Sequence, residues 1–335
     1  MSTRVGINGF GRIGRSVFRI LSERDDMEVV AINDLFDNRQ LAYLLKYDTV
    51  MRRFERRVEA DEDSLRIDGE PVAMTAERDP AAIPWSEFGV DIVVESTGVF
   101  RQREGLEKHL EAGASRVVLT VPPKDEIDAM VVIGVNEEIL APEHRIVSNA
   151  SCTTNCLAPL ARILDDAFGI EQGFITTVHA YTNDQRLADV PHKSLRRSRA
   201  AAENVIPTTT GAARAVGKVL PALEGRLDGM AMRVPVPDGS IVDLSVKLDR
   251  AVDREELNQA VREAADGPLR RVVEYAEDPL VSSDIIGNPH SCIFDAPSTN
   301  VGPDGYAKVI SWYDNEWGYS NRVVDLIGLL SELGE

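Results

Sequence analysis

A cysteine in a run of small hydroxyl and amide residues is the first feature of this 335-residue sequence that could do chemistry. Cys152 lies in the segment SNASCTTN, residues 148–155, between an apolar stretch and an amphipathic one. We therefore predict that it stands at or near the start of a helix, whose N–H groups and partial positive charge stabilise a thiolate. Pro159 indicates that this helix starts late or bends. With an imidazole nearby to take its proton, Cys152 could serve as a nucleophile.

The two other cysteines have the pattern of ordinary core residues. Three cysteines cannot all pair, and Cys152 and Cys156 lack the spacing of a redox pair, which argues against a disulfide scaffold. No histidine follows them in the order of zinc ligands, so no metal site is expected. Cys156 and Cys292 are therefore predicted to be core residues.

Five histidines could supply the imidazole, and His179 has the best position. It closes an apolar stretch, residues 173–178, that is typical of a strand, and it opens a long polar segment. A side chain there lies at the end of a sheet, where sites tend to form. The other four are expected at the surface: His109 on a charged helix, and His144, His192 and His290 in polar turns.

A glycine-rich turn near the N-terminus carries a second chemistry. Gly9, Gly11 and Gly14 fall between a predicted strand at residues 4–8 and a predicted helix at residues 15–24. In that context the first glycine permits a tight turn, the second lets a pyrophosphate approach the backbone, and the third lets helix and strand pack closely. Asp34, at the end of the next strand, can accept hydrogen bonds from ribose hydroxyls and repel a 2′-phosphate. The pattern predicts a dinucleotide site that favours NAD over NADP.

These residues require two kinds of scaffold. Over the first 150 residues, apolar strands alternate with polar helices, which predicts a Rossmann-type α/β domain with a mostly parallel sheet. Beyond it, longer stretches alternate in polarity, as in the antiparallel sheet of an α+β domain. We predict a dinucleotide-binding domain at 1–151, a catalytic domain at 152–318 and a C-terminal helix at 319–335 that returns to the first domain. The strands are predicted at 28–32, 92–94, 117–119, 130–135, 145–147, 173–178, 229–234, 241–248 and 308–313, and further helices at 104–111, 152–168 and 322–333.

One long segment lacks any periodic pattern. Residues 179–207 contain several arginines and are long for a structureless connection within a domain. We therefore expect this segment to be functional.

Composition limits the partners. The 37 basic and 55 acidic residues give a net charge of −18, which argues against nucleic acid or an anionic membrane as partner. No apolar stretch approaches the roughly 20 residues that span a bilayer, and no secretory signal is visible, so we expect a cytoplasmic protein. Seven Lys against 30 Arg, with acidic pairs throughout, suggest adaptation to concentrated salt, although a genome rich in G and C would explain the Arg bias equally well.

Taken together, these motifs resemble the phosphorylating glyceraldehyde-3-phosphate dehydrogenases, from residue 4 to about residue 330. The sequence departs from the family pattern at Phe36, at residues 51–53 and at Pro122–Pro123. The matching blocks, in chain order, are NGFGRIGR (8–15), LLKYD (44–48), SNASCTTN (148–155), HAYTNDQ (179–185), RAAAEN (199–204), TGAA (210–213), MRVP (232–235) and WYDNEWGYS (312–320).

The resemblance implies a reaction and a set of roles. Cys152 would attack the aldehyde of glyceraldehyde 3-phosphate, His179 would draw off the proton, hydride would pass to NAD, and inorganic phosphate would cleave the thioester. Thr182 and Arg233 would hold the substrate phosphate. The attacking phosphate would be held by Ser151, Thr153, Arg197, Thr210 and Gly211. The cofactor would be bound by Arg12 and Ile13 at the pyrophosphate, Asn315 at the nicotinamide amide, Tyr319 nearby, and Arg78, Ser96 and Thr120 at the adenine half. A homotetramer is implied as well.

Two other functions are compatible with parts of the pattern. Erythrose-4-phosphate dehydrogenases share the cysteine and histidine but usually differ after the histidine, where Thr182-Asn183-Asp184 resembles the triose enzyme. A cofactor-binding or regulatory protein could keep the fold without catalysis. The intact set of Cys152, His179 and the arginines argues against it.

Overall fold

The alternating strands and helices of the first half form a nine-stranded sheet within residues 2–334, the part of the chain that the computed structural model describes. Its strand order is β3-β4-β5-β2-β1-β6-β7-β9-β8. The strands are β1 Thr3–Asn8, β2 Met27–Asn33, β3 Val58–Ala60, β4 Ser64–Ile67, β5 Glu70–Thr75, β6 Ile92–Glu95, β7 Arg116–Leu119, β8 Ala129–Met130 and β9 Ile146–Ser148.

Most neighbours in this sheet run parallel, as the Rossmann-type prediction requires. Parallel strands covered on both faces need apolar side chains on both, and Val5, Ile7, Val93 and Val117 are indeed fully buried. The helices of this part are α1 Arg12–Leu21, α2 Asn38–Lys46 and α3 Arg103–Glu111. β1, α1 and β2 make the βαβ unit around the glycine turn.

The antiparallel edge formed by β3, β4 and β5 was not predicted. Its tight turn is Asp68-Gly69, and both residues have positive φ, 54° and 99°. That conformation suits a two-residue hairpin turn and favours a glycine. The Asp-Gly dipeptide was therefore a signal in the sequence that could have found this hairpin.

The second half forms a mixed, mainly antiparallel sheet of eight strands in the described residues. The order is β11-β12-β10-β13-β17-β15-β14, with β16 paired to β17. Helix α4 begins at Cys152, because Ser151 caps it, and continues through Pro159. Of the two alternatives that Pro159 raised, a late start or a bend, the late start is therefore wrong. The remaining elements are α4 Cys152–Phe168, β10 Ile170–Ala180, β11 Ile206–Thr209, α5 Ala212–Val219, β12 Leu227–Val234, β13 Ser240–Leu248, α6 Arg254–Asp266, β14 Val273–Ala276, β15 Cys292–Asp295, β16 Asn300–Val301, β17 Tyr306–Tyr313 and α7 Trp317–Glu332.

Two predicted elements differ from the structure for local reasons. The expected strand at 130–135 ends after Met130, because Gly134 has a φ of 83° and the Asn136 side chain accepts the Val132 N–H at 2.8 Å. The last helix begins five residues earlier than expected. Asp314 accepts the N–H groups of Glu316 and Trp317, which caps the helix there.

The chain divides into two compact units. The first contains residues 1–131, 138–150 and 320–335, and the second contains residues 132–137 and 151–319. Among the described residues, no helix is long and apolar enough to cross a membrane.

Candidate active site

The chain turns sharply just before Cys152. After β9, Ala150 adopts a left-handed conformation with a φ of 54°, which is rare for a residue with a side chain. Ser151 then caps α4, its Oγ accepting the Thr154 N–H at 3.1 Å. Cys152 is consequently the first residue of a 17-residue helix, where unpaired N–H groups favour an anion.

The histidine predicted as base lies next to this thiol. His179 occupies the C-terminal end of β10, and its Nε2 is 3.5 Å from the Sγ of Cys152. Burial, followed by the charge of Arg233, lowers the pKa of His179 to about 3. Burial raises the pKa of the Cys152 thiol to about 11, although Arg233 and the Thr153 N–H act in the opposite direction. Burial therefore favours the neutral thiol and the neutral imidazole, whereas Arg233 and the start of α4 favour the thiolate.

The other ring nitrogen of His179 has two competing partners. Nδ1 is 2.7 Å from the Ala180 carbonyl oxygen and 2.8 Å from Nη1 of Arg233, which is itself 2.9 Å from that oxygen. Nδ1 either donates to Ala180 or accepts from Arg233. Only the first arrangement leaves Nε2 without a proton and able to accept that of Cys152. Arg233 thus influences which tautomer faces the thiol.

Tyr313, which was not predicted as a site residue, contacts the elements that hold Cys152 and His179. Its hydroxyl lies 2.8 Å from Thr153 Oγ1 and 2.9 Å from Thr177 Oγ1, which joins α4 to β10. Its ring packs edge-on against the His179 ring at 5.9 Å between centroids. The only signal in the sequence was its place in the block at 312–320 that resembles the family, and this block gave it no role.

The two arginines predicted for phosphate binding lie in one electrostatic network. Asp184 accepts hydrogen bonds from the Thr182 hydroxyl and from Arg197. Burial acts to raise the pKa of Asp184, but the hydrogen bond from Thr182 and the charges of Arg197 and Arg233 lower it below its usual range. Arg197 also donates to Thr208 Oγ1 at 3.1 Å. Two guanidinium groups near a reactive thiol can bind anions.

The glycine turn has the geometry that a pyrophosphate needs. Gly9 has a φ of 92°, and a Cβ there would lie 2.7 Å from the Thr97 nitrogen. A Cβ on Gly14 would lie 2.2 Å from the Gly9 oxygen. At Gly11 no atom lies within 4 Å of such a Cβ, so open space faces the backbone at the start of α1. The loop therefore fits a dinucleotide phosphate group.

Comparison with known proteins gives this geometry a family. The model of the glyceraldehyde 3-phosphate dehydrogenase C-terminal domain matches residues 151–315, and the model of the NAD binding domain of the same enzyme matches residues 3–103. The chain belongs to the glyceraldehyde 3-phosphate dehydrogenase family. It is 56% identical to the glyceraldehyde-3-phosphate dehydrogenase of Streptomyces coelicolor over 97% of this chain and 98% of that one. It is 55% identical to that of Geobacillus stearothermophilus over the full length of both chains.

Within the glyceraldehyde 3-phosphate dehydrogenase C-terminal region lie Cys152, His179 and Arg233. The remaining candidates for anion binding occupy the starts of two helices and the segment after β10. Ser151 and Thr153 are at the start of α4, and Thr210 and Gly211 precede α5, where Thr210 Oγ1 accepts the Ala212 N–H at 3.1 Å. Thr182 and Arg197 lie in residues 181–205, which form no helix or strand in the described chain.

In the NAD binding region, Asp34 and Arg12 already have partners. The Asp34 carboxylate accepts the Phe10 N–H at 2.7 Å and the Phe36 N–H at 3.1 Å, which fixes it beside the glycine turn. Arg12, the first residue of α1, forms an ion pair with Asp48. Ile13 follows it in the same helical turn.

The other predicted cofactor residues differ in exposure. Arg78 is exposed, Ser96 Oγ donates to the Gly9 oxygen at 2.7 Å, and Thr120 Oγ1 donates to the Glu95 oxygen at 3.0 Å. In the second unit, Asn315 and Tyr319 are buried. Asn315 Oδ1 accepts the Ser240 hydroxyl at 2.5 Å, so the amide nitrogen is its donor end.

One histidine departs from expectation. His109 was predicted at the surface but is fully buried. It belongs to a series of hydrogen-bonded polar side chains that ends beside the glycine turn. Trp85 Nε1 donates to its Nδ1 at 3.0 Å, so its Nε2 is the nitrogen that donates to Glu95 at 3.0 Å. Glu95 in turn accepts from Asn8 at 2.6 Å, beside Gly9. The helix looked charged in sequence because only Leu106 and His109 of α3 are buried.

No group of three or more metal-ligating side chains is placed to hold an ion within residues 2–334.

Proposed function

We propose that this chain oxidises and phosphorylates glyceraldehyde 3-phosphate to 1,3-bisphosphoglycerate, using NAD and inorganic phosphate. The observation that carries the proposal is the 3.5 Å contact between Cys152 Sγ and His179 Nε2 at the N-terminus of α4. Membership of the family and the glycine loop support NAD as the hydride acceptor.

The first step joins the substrate to the enzyme. Cys152 Sγ attacks the aldehyde carbon, and His179 Nε2 takes the thiol proton and passes it to the carbonyl oxygen, which becomes the hydroxyl of a thiohemiacetal. Because burial favours the neutral forms of both the thiol and the imidazole, we expect proton transfer to accompany the attack. The partial positive charge at the helix start stabilises the sulfur as the proton leaves.

Oxidation and phosphorolysis follow. NAD, held at the glycine loop, would supply the hydride acceptor for this oxidation. His179 takes the hydroxyl proton as the same carbon is oxidised, and a thioester to Cys152 remains. Inorganic phosphate then attacks the thioester carbon, the acyl phosphate leaves, and Cys152 recovers its proton. These steps need no metal, because the thiol and the imidazole carry out the proton transfers and the attacking group is inorganic phosphate.

The arginines bind the phosphates and assist the base. Substrate phosphate on Arg233 draws its guanidinium away from His179 Nδ1, which can then donate to the Ala180 carbonyl. That arrangement presents an unprotonated Nε2 to the thiol. Thr182 joins Arg233 at the substrate phosphate, while Ser151, Thr153, Arg197, Thr210 and Gly211 hold the attacking phosphate.

Replacing the nucleophile tests the mechanism. Cys152→Ala should abolish turnover with glyceraldehyde 3-phosphate, NAD and phosphate, because no other group can form the thioester, while the variant still binds NAD. Turnover and calorimetric NAD binding would be measured side by side, with erythrose 4-phosphate as a competing substrate for the wild type. Appreciable turnover by Cys152→Ala would contradict covalent catalysis.

The family likeness also supports a homotetramer. Large apolar side chains lie exposed on one face of the second sheet, Phe174, Met230 and Tyr306, and in the segment after β10, Leu187 and Leu195. Exposed apolar groups of this kind are typical of surfaces that pack against another chain. Light scattering should give a mass of four chains, and a monomer would contradict the proposal.

The environment is proposed on composition. Three free thiols, one of them catalytic, suit a reducing cytoplasm. The net charge of −18 and the scarcity of Lys suit concentrated salt, which screens repulsion between carboxylates. Activity and Tm should rise with molar KCl, and equal stability in dilute buffer would remove the salt adaptation.

A further inference from the structure

Two buried carboxyl groups lie beside each other in the second unit. Asp238 lies in the turn between β12 and β13, and Asp314 lies between β17 and α7. Each residue is only 1% exposed, and the two side chains are hydrogen-bonded to each other. A hydrogen bond between two carboxyl groups requires a proton on one of them.

Asp314 is the member that is equipped to carry the charge. Its two oxygens accept three backbone N–H groups: Gly287 at 2.8 Å, Glu316 at 2.8 Å and Trp317 at 2.6 Å. Several N–H donors to one carboxylate stabilise its ionised form, and two of these come from the start of α7, where negative charge is favoured.

Asp238 is the member that is equipped to carry the proton. Its Oδ1 accepts the N–H of Gly239 at 2.8 Å, whereas its Oδ2 meets no N–H or O–H donor in the described structure. The charged groups that act on it are Asp314 and Glu316, both negative, and ionised Asp238 would also face the Cys152 thiol at the start of α4. Burial and these two carboxylates raise the pKa of Asp238 well above its usual range.

A hydrogen-bonded path to the proposed base begins one residue after Asp314. Next to Asp314, Asn315 accepts the Ser240 hydroxyl at 2.5 Å, and Ser240 Oγ accepts the Ala180 N–H at 3.1 Å. The Ala180 carbonyl is the partner of His179 Nδ1 at 2.7 Å. Asp238 lies two residues before Ser240, and Asp314 lies one residue before Asn315. The contact between the two carboxyl groups therefore joins the two turns that hold Ser240 and Asn315.

We infer that Asp238 is a positioning residue that stays protonated at neutral pH and donates its proton to Asp314, thereby fixing Asn315 and Ser240 for the His179 site. Its effect on catalysis rests on the proposed function, whereas its effect on stability does not. No role in touching substrate or cofactor is assigned to it.

The pH dependence has a definite sign. The unfolded chain releases the Asp238 proton near the ordinary carboxyl pKa of about 4, whereas the folded chain keeps it to a higher pH. The unfolding free energy therefore falls as pH rises through this interval, and once Asp238 ionises in the folded state the bond to Asp314 is lost. An amide at this position would donate to Asp314 at every pH and remove both effects.

The decisive comparison is Asp238→Asn with Asp228→Asn. Asp228 lies on β12, is also followed by glycine, and accepts that glycine's N–H at the same 2.8 Å, but it is exposed. Relative to wild type, Asp238→Asn should raise Tm by about 2 °C or more at about pH 9 and by less at about pH 6, while Asp228→Asn shows no such trend. Asp238→Ala, which cannot donate, should lower kcat or raise the KM for NAD about tenfold at neutral pH, and Asp238→Asn should restore both.

Three results would overturn the inference. Asp238→Asn could follow Asp228→Asn in Tm at both pH values, which would mean that Asp238 is ionised. It could share the kinetic defect of Asp238→Ala, which would mean that the donated hydrogen bond does not position the site. In wild-type protein, infrared spectra at neutral pH could lack the C=O band of a buried carboxylic acid, a measurement that needs no variant to fold. Loss of turnover in wild type with these Tm shifts intact would instead count against the proposed function.

Discussion

The glycine loop of the first unit is made by six consecutive residues, Gly9 to Gly14, whereas the catalytic centre of the second unit joins residues up to 160 positions apart. The loop functions through backbone geometry, and its glycines are required because side chains would collide or fill the ligand space. The centre functions through side chains whose pKa values depend on what packs around them. Local sites tolerate few residue types, while assembled sites depend on the whole sheet.

Removing the base should give the largest effect. His179→Asn should lower kcat roughly 10²–10⁴-fold, because Cys152 loses the group that takes its proton. Alkylation of Cys152 near neutral pH should slow as well. Burial raises the pKa of its thiol, and the variant lacks the imidazole that would take the thiol proton. His144→Asn is the control, because His144 lies in a turn of the first unit, where its Nδ1 accepts the Ala141 N–H at 3.3 Å. Unchanged alkylation in His179→Asn would assign the base to another group.

Substitutions at two glycines of the loop can distinguish open space for the ligand, at Gly11, from close packing within the protein, at Gly14. Gly14→Ala should weaken NAD binding tenfold or more, and it should also destabilise the chain by about 1–3 kcal/mol because its Cβ would lie 2.2 Å from the Gly9 oxygen. Gly11→Ala should weaken NAD binding alone, because its Cβ enters open space. NAD titration and thermal unfolding of both variants provide the test, and equal Tm losses would refute the distinction.

The smallest effect concerns cofactor choice. Asp34→Asn removes the negative charge that would oppose a 2′-phosphate. Its single amide oxygen can accept only one of the Phe10 and Phe36 N–H groups, which bind different oxygens of the Asp34 carboxylate. The substitution should narrow the NAD preference severalfold in kcat/KM, with the KM for NADP falling most. Equal use of NAD and NADP by the wild type would show that Asp34 does not act at the ribose.

The same contrast explains what could be predicted from sequence. The glycine turn, the helix at 152–168 and the pairing of Cys152 with His179 follow from local pattern or family likeness. Tyr313 and the buried His109 could not be predicted, because their roles arise from strands and helices that meet only in the fold. The strand predicted at 130–135 ends after Met130 because Asn136 binds the backbone locally, an interaction that apolar periodicity does not report.

The three cysteines also allow local opening of the second unit to be measured by the number of thiols that react with a reagent. Cys152 keeps part of its surface exposed, whereas Cys156 and Cys292 are fully buried in the same unit. A thiol reagent under native conditions therefore has one fast target per chain, and the slow appearance of two further equivalents measures how often the interior opens. The rate at which these two buried thiols react therefore measures local unfolding of the second unit, and no cysteine has to be introduced for the experiment.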